Sequence, residues 1–238
     1  MLEIIAETLQ DALAAELGGA TQIDLKANFL EDGVTPTAGM VECVCKNVNI
    51  DVIVMIRPRV DNKMVLNPED IEIMCHDIRL SRERGASGFL LGALTDKNEI
   101  DFEAIKIFQE AAVDKPIHFH LAWELADNHE AAILQLIDLG VKSIRTTGGQ
   151  ALTGKVENST DKVHFFNEIA MGKIDLLLAG GVNPDNITEL VTKTGVTNAH
   201  SGVGVRIPAS RKGDVDVGKV VKLKKGLEIG IAKLKSKG

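Results

Sequence analysis

The chain has 238 residues, of which 45% are hydrophobic and 26% are charged, a balance typical of globular proteins. The 34 Asp and Glu residues outnumber the 27 Lys and Arg residues, and the net charge of −7 disfavours nucleic acid as a partner. No apolar run approaches the roughly 18 residues of a membrane span, and the first residues lack the basic start of a secretion signal. Three cysteines are too few for a disulfide framework. We therefore expect a cytoplasmic protein without a membrane partner.

Short apolar runs alternate with amphipathic stretches about every 30 residues along the chain. The predicted strands are 2–6, 22–25, 51–56, 88–91, 117–120, 143–146, 175–178 and 198–201. The predicted helices are 9–17, 37–47, 68–84, 102–112, 128–139, 162–171, 186–194 and 219–235. Eight strands, each followed by a helix, predict an α/β fold, a single (β/α)8 TIM barrel over residues 1–238. A doubly wound open sheet fits less well, because it needs only about five or six strands.

Residues that end and begin helices support these boundaries. Gly140 and Gly195 follow predicted helices, and glycine at that place adopts the left-handed conformation that turns the chain back. Asn67 and Pro68 are a typical helix start. The two longest connections, 26–36 and 202–218, follow the second and eighth strands. They are expected at the end of the barrel where functional sites of this fold lie.

Asp24 and Lys26 lie on one face near the end of the second strand, because strand side chains alternate. A desolvated lysine acts as a Schiff-base nucleophile or a base, whereas a neighbouring carboxylate favours the ammonium form, which stabilises an enolate. An internal salt bridge without a catalytic role is the alternative. The sequence leaves both interpretations open.

Imidazole groups end two further strands. His118 and His120 lie on the same side of the fifth strand, Glu124 follows it, and His200 ends the eighth. Imidazole serves as acid, base or metal ligand near neutral pH. We predict a candidate divalent-metal set of His118, His120 and His200. The predicted catalytic residues are Asp24, Lys26, His120 and Glu124.

Arginine and glycine residues indicate an anionic ligand. Arg57 directly follows the third strand, and a guanidinium group binds carboxylate or phosphate in a bidentate manner. Gly180 and Gly181 join the seventh strand to a helix, where exposed N–H groups attract an anion. Tight turns and a structural arginine pair are the alternatives. The predicted substrate-binding residues are Glu7, Arg57, Gly180, Gly181, His200 and Ser201.

Several segments occur in the order known from one family. They include Val54-Met-Ile-Arg-Pro-Arg59, Thr147-Gly-Gly149 and Ala179-Gly-Gly-Val-Asn-Pro-Asp-Asn186, and they span roughly the first 200 residues. In these segments the chain resembles the CutC family, (β/α)8 proteins labelled copper homeostasis proteins. The resemblance implies the barrel fold, a role in copper homeostasis and a homodimer.

The resemblance also implies copper ligands, from cysteines late in the first two strands. Ile5 and Lys26 stand at those positions here, although cuprous ion prefers soft thiolate or thioether ligands. The cofactor therefore stays unknown, with copper or another divalent metal as options. Two functions remain open: a protein that binds a metal or a small-molecule anion without catalysis, or a lyase or isomerase of phosphorylated or carboxylated metabolites that uses Lys26 and His120.

Overall fold

The computed structural model describes residues 1–60, 64–151 and 154–236. Eight parallel strands pair in chain order and close into a barrel, with β8 beside β1. The strands are β1 (Leu2–Ala6), β2 (Gln22–Leu25), β3 (Asp51–Met55), β4 (Gly88–Leu91), β5 (Ile117–Phe119), β6 (Ser143–Thr146), β7 (Asp175–Leu178) and β8 (Asn198–Ser201). This closed barrel confirms the predicted fold class.

One helix follows each strand and covers the outside of the barrel. The helices are α1 (Leu9–Leu17), α2 (Ala38–Asn47), α3 (Pro68–Glu83), α4 (Phe102–Ala112), α5 (His129–Asp138), α6 (Thr160–Ala170), α7 (Ile187–Thr194) and α8 (Val217–Lys235). Within the described ranges, none of them combines the length and apolar character needed to cross a membrane.

The capping residues act as predicted. The Asn67 side chain accepts from the Asp70 N–H at 2.7 Å, and the Asp70 carboxylate accepts from the Asn67 N–H at 3.1 Å. This reciprocal pair satisfies two donors that the first turn of a helix leaves without partners. Gly140 (φ 68°) and Gly195 (φ 75°) adopt the left-handed conformation after α5 and α7. Each helix end thus returns the chain to the barrel.

Two strands end one residue earlier than predicted. The Ile56 N–H still donates to the Leu90 carbonyl at 2.8 Å, and the His120 N–H donates to the Leu91 carbonyl at 3.0 Å. Both residues therefore continue the ladder by one bond before the chain leaves the sheet. Their side chains remain at the barrel end.

The barrel interior is divided into an apolar and a polar part. Ile53, Met55 and Leu90 form a small apolar cluster inside it, separate from the main core between sheet and helices. The polar part contains the buried side chains of Glu3, Gln22, Asp24, His118, Ser143 and Arg145. Barrels of this type are usually filled by branched apolar residues. A buried charge is costly without a partner, and the charged groups here are paired: Lys26 with Asp24, and Arg145 with Glu3.

A hairpin within the loop after β8 is fixed to the start of α1. Its strands, β9 (Arg206–Ile207) and β10 (Asp214–Val215), pair in antiparallel orientation. The buried Arg206 guanidinium lies 3.1 Å from the Asp11 carboxylate and donates to the Ile5 carbonyl at 3.0 Å. The same carboxylate accepts from the Val215 N–H at 3.0 Å. The hairpin is thereby held at the barrel end where β1 stops.

Candidate functional site

A cavity of about 200 Å³ lies at the carboxyl ends of the strands, and residues from all eight βα units line it. Lys26, Arg57, His120 and His200 all line this cavity, although they come from four different βα units. Predicted site residues Asp24, Gly180 and Gly181 line it as well. The parallel topology therefore gathers seven of the residues that the sequence indicated.

Asp24 and Lys26 form the ion pair that strand alternation predicted. Lys26 Nζ lies 2.8 Å from Asp24 Oδ2, and both side chains are buried. Asp24 Oδ1 has no hydrogen-bond partner among the described residues. The alkyl chain of Lys26 packs against Gly33, where an added Cβ would lie 2.5 Å from Lys26 Cδ. The Lys26 side chain thus presents its Nζ donors at the cavity wall beside Asp24, an arrangement that suits binding or stabilising negative charge.

Below the cavity, the Glu3 carboxylate connects Arg145 to His200. Arg145 Nε donates to Glu3 Oε1 at 3.0 Å, its Nη2 contacts Glu3 Oε2, and His200 Nδ1 lies 2.6 Å from Glu3 Oε1. Gln22 also donates to Glu3. Burial acts to raise the pKa of Glu3, but Arg145 and the hydrogen bonds from His200 and Gln22 hold it well below its usual range. Glu3 is therefore an anion at every physiological pH.

His120 is held as a neutral imidazole at the cavity wall. Its Nδ1 accepts from the Ala122 N–H at 3.1 Å, which places the ring proton on Nε2. Burial, then the neighbouring charges of Arg57, Lys26 and Arg145, lowers the pKa of His120 to about 3. His120 is thus a hydrogen-bond donor toward a ligand, and not a cation, near neutral pH.

The predicted metal set of three histidines is not brought together. His118 lies inside the barrel and does not line the cavity; its Nδ1 contacts Ser143 Oγ at 2.7 Å, and burial lowers its pKa to about 3. Over residues 1–60, 64–151 and 154–236, a different group, Glu3, Asp24 and His200, has ligand atoms within 4.8 Å of one another. Its two carboxylates already pair with Arg145 and Lys26, so this group does not favour a divalent ion.

Glu124, predicted as catalytic, instead organises the loop between β6 and α6. Its Oε1 accepts from the N–H groups of Thr147 and Gly149 at 2.8 and 2.9 Å, and from Thr146 Oγ1 at 2.7 Å. Its Oε2 accepts from the Ala151 N–H at 2.9 Å. Glu124 is buried, does not line the cavity, and has its acceptor sites filled by protein donors. From the sequence alone, the place of Glu124 just after β5 did not show whether its side chain faces the ligand or the neighbouring loop.

Glu7 and Ser201, predicted as substrate-binding residues, also contact neighbouring loops and do not line the cavity. Glu7 Oε1 accepts from the Phe29 N–H at 2.8 Å, and Ser201 Oγ donates to the Val182 carbonyl at 2.7 Å. Ser201 alternates outward from His200, whereas Glu7 lies beyond the end of β1, where the chain turns toward α1. They position the loops after β2 and β7.

Arg145 is a cavity residue that the sequence did not assign. Strand alternation lets only one of Arg145 and Thr146 point inward, and the pattern alone did not decide which. The structure places Arg145 in the cavity wall, whereas Thr146 bonds to Glu124 outside it. The sequence does contain a signal that Arg145 points inward. Glu3 is an acidic residue within an otherwise apolar strand, and a buried carboxylate needs a buried cation as its partner.

Glycine backbone forms the edge of the cavity after β7 and β8. Gly181, Val203 and Gly204 line it, and in the described part of the chain their N–H groups meet no hydrogen-bond acceptor. At Gly204, an added Cβ would lie 2.1 Å from the Val182 carbonyl oxygen, so only glycine permits this contact between the two loops. Close packing thus explains why residue 204 is a glycine. The N–H groups without acceptors are suited to bind an anion.

The two long loops meet over the cavity. Arg211, from the loop that carries the β9–β10 hairpin, lies 2.5 Å from Asp32 and donates to the Leu30 carbonyl at 2.8 Å. From the other side, Arg57 donates to the Gly33 carbonyl at 3.1 Å. Both guanidinium groups line the cavity. The 26–36 loop is thereby held between two cations.

The residues present do not fit a thiolate copper site. Cys43, Cys45 and Cys75 lie on α2 and α3, and none of them lines the cavity. Burial raises the pKa of the Cys45 thiol to about 11, which disfavours the thiolate that would bind cuprous ion. Ile5 and Lys26, at the positions of the family cysteines, both face the cavity.

Comparison with known proteins identifies the relatives of this chain. The CutC family model matches residues 1–205. A CutC family protein of Porphyromonas gingivalis is 34% identical over 227 residues (93% of this chain, 89% of the relative), and the human copper homeostasis protein cutC homolog is 32% identical over 202 residues (84% and 72%).

Solved structures agree with this relationship. The crystal structure of CutC from Streptococcus agalactiae has a TM-score of 0.79 and 30% identity, covering 85% of this chain and 97% of that one. Thiamine phosphate pyrophosphorylase from Pyrococcus furiosus has a TM-score of 0.62 at 17% identity (97% and 96% covered), which shows a shared fold alone. The chain therefore belongs to the CutC family.

Proposed function

We propose that the cavity binds a small metabolite that carries a phosphate or carboxylate group. The observation that supports this most directly is the charge of the lining. Among the described residues, four basic side chains and two carboxylates line the cavity, and a third carboxylate, that of Glu3, pairs with Arg145 just below it. The cations are Lys26, Arg57, Arg145 and Arg211. Such an excess of positive charge, within walls of low dielectric, attracts and retains a small anion.

The arrangement of the lining suggests how the anion binds. The open N–H groups of Gly181, Val203 and Gly204 follow β7 and β8, where barrels of this fold commonly hold phosphate. Lys26 and Arg57 follow β2 and β3, and β3 lies across the closed barrel from β7. An anionic group at the glycine edge would leave the remainder of the ligand near Lys26 and His120.

Metal binding is the weaker candidate for this cavity. The human relative is named a copper homeostasis protein. Here, however, the Asp24 and Glu3 carboxylates are paired with Lys26 and Arg145, and a cation among these groups would be repelled. We therefore assign the cavity to an anion.

Lys26→Met is expected to weaken the binding of inorganic phosphate by about tenfold or more, because a charge-assisted hydrogen bond contributes roughly 1.5–3 kcal/mol. The measurement is isothermal titration calorimetry of the whole chain with phosphate. Since this change leaves Asp24 buried without its partner, the double variant Asp24→Asn/Lys26→Met is measured as well. Lys212→Met is the matched control, because Lys212 is exposed and outside the cavity lining.

Two results would contradict the proposal. One is wild-type protein that binds no phosphate, pyrophosphate or citrate. The other is equal weakening by Lys212→Met and Lys26→Met, which would place the anion on the general surface. Stoichiometric binding of Cu(I) that survives removal of Cys43, Cys45 and Cys75, and that phosphate does not displace, would favour the metal instead.

A further inference from the structure

We infer that His200 is the proton-accepting residue of this cavity and that Glu3 is the positioning residue that fixes its tautomer. The inference rests on the proposed function and deepens it, because it assigns the bound metabolite a reaction. The class of ligand is an anionic metabolite with a carbonyl group, and the class of reaction is proton transfer at the carbon next to that carbonyl.

The contact with Glu3 determines which nitrogen of His200 carries the proton. Glu3 Oε1 lies 2.6 Å from His200 Nδ1, and the ionised carboxylate accepts hydrogen bonds only. Arg145 and Gln22 hold the carboxylate from its other sides. Nδ1 of His200 must therefore donate, so the lone pair of the neutral ring is on Nε2.

Nε2 of His200 is available to a ligand. It has no hydrogen-bond partner among the residues that the structure describes, and the side chain, 12% exposed, lines the cavity. A carboxylate on the far nitrogen orients the ring and stabilises the imidazolium that forms when Nε2 takes a proton. Glu3 is fully buried and remains ionised, so it supports this charge without taking the proton itself.

The second imidazole of the cavity has the opposite tautomer. His120 Nδ1 accepts from the Ala122 N–H, so its Nε2 is a donor. The Lys26 ammonium is a further donor; it lies 2.8 Å from Asp24, whose carboxylate is within 4.8 Å of a His200 ligand atom. The cavity thus combines the acceptor nitrogen of His200 with two donors, from His120 and Lys26, that suit a developing oxyanion.

The proposed step needs no co-reactant. Nε2 of His200 takes the proton from the carbon next to the carbonyl, and the electron pair of the broken C–H bond forms an enolate. His120 Nε2–H and Lys26 Nζ stabilise the enolate oxygen. Return of the proton to the same carbon restores the molecule. Where the deprotonated carbon also carries a hydroxyl group, delivery of the proton to the former carbonyl carbon, with transfer of the hydroxyl proton to the former carbonyl oxygen, gives the isomeric hydroxycarbonyl compound.

Bromopyruvate tests the inference without knowledge of the natural substrate, because it is a small anionic ketone with a leaving group. The His200 Nε2 lone pair attacks its methylene carbon, so that a C–N bond forms, the C–Br bond breaks and bromide leaves. Peptide mapping by mass spectrometry measures labelling of each histidine in the whole chain, with labelled cysteines scored separately. We expect His200 to react at least about tenfold faster than each of the other five histidines.

Inorganic phosphate is expected to slow labelling of His200 and to leave labelling of the exposed His76 unchanged. Independently, ¹⁵N NMR of histidine-labelled wild-type protein near pH 8 should show His200 with a protonated Nδ1 and a bare Nε2, and His120 with the reverse. Glu3→Gln should shift the His200 proton toward Nε2, which a merely structural role of Glu3 would not do.

Labelling of His120 at the same rate as His200, or a His200 proton on Nε2 in the wild-type protein, would overturn the inference. These failures are distinct from failure of the proposed function. If only the inference fails, phosphate still binds, but His200 is not labelled preferentially. If the proposed function fails, phosphate neither binds nor protects any histidine.

Discussion

Arg145→Met is expected to lower the free energy of unfolding by about 3–5 kcal/mol at neutral pH. Arg145 is 2% exposed and makes two contacts with the Glu3 carboxylate and one with Ser143 Oγ at 3.1 Å. Methionine fills a similar volume but leaves Glu3 as a buried anion without its main cation. The cost is the desolvation of that charge, which the ion pair offsets in the wild-type protein.

The destabilisation depends on pH in a defined direction. In the wild-type protein the pKa of Glu3 is lowered, so its contribution to stability is complete above the unfolded value of about 4.3 and is lost as the pH falls below it. Without Arg145, burial dominates, and the folded variant takes up a proton more readily than the unfolded chain. The difference between variant and wild type is therefore largest at pH 7 and shrinks toward pH 4.

Urea unfolding at pH 7 and pH 4.5, followed by circular dichroism, measures both effects. Arg79→Met is the control, because Arg79 is exposed on α3. A loss below about 1 kcal/mol at pH 7, the range of surface substitutions, would show that the Glu3–Arg145 pair does not stabilise the barrel. A loss that grows as the pH falls would show that Glu3 is not the ionised group.

Glu124→Gln is expected to destabilise the protein by about 2–4 kcal/mol, because the change turns an acceptor into a donor at a buried position. Whichever way the amide lies, its NH2 group faces N–H donors. On one side is the Ala151 N–H, and on the other are those of Thr147, Gly148 and Gly149. One buried N–H must therefore lose its acceptor, although the shape of the side chain is unchanged.

Thermal and urea unfolding give the size of this effect, with Glu130→Gln on exposed α5 surface as the control. Phosphate affinity, measured on the folded fraction, is expected to change less than with Lys26→Met, because Glu124 does not line the cavity. Wild-type stability combined with lost phosphate binding would return Glu124 to the ligand site, as the sequence had suggested.

The fold was predictable because its signal repeats eight times. Each unit has an apolar strand, an amphipathic helix and a turn residue such as Gly140 or Gly195, and an error in one unit does not alter the count. The remaining differences are at the ends of strands and helices; α6, for example, begins at Thr160 and α8 at Val217, each two residues earlier than predicted. There, a single hydrogen bond, such as that from the His120 N–H, decides the boundary, and no sequence pattern reports it.

The site residues were predictable only where strand alternation determines the direction in which a side chain points. Asp24, Lys26 and His200 lie within or just after strands, and each faces the interior as alternation requires. Glu124 and Glu7 lie beyond their strands, where the chain turns and alternation no longer holds. Their orientation depends on which loop donors are nearby, and that depends on tertiary structure.

The most direct test of an anion site in this cavity is an NMR titration of the ¹⁵N-labelled protein with inorganic phosphate. We expect saturable shifts of the amide signals of Gly181, Val203 and Gly204, together with those of the Lys26 and His120 backbone, and smaller effects elsewhere. Shifts confined to the exposed lysines of α8, or unchanged signals at these three backbone amides under saturating phosphate, would contradict it.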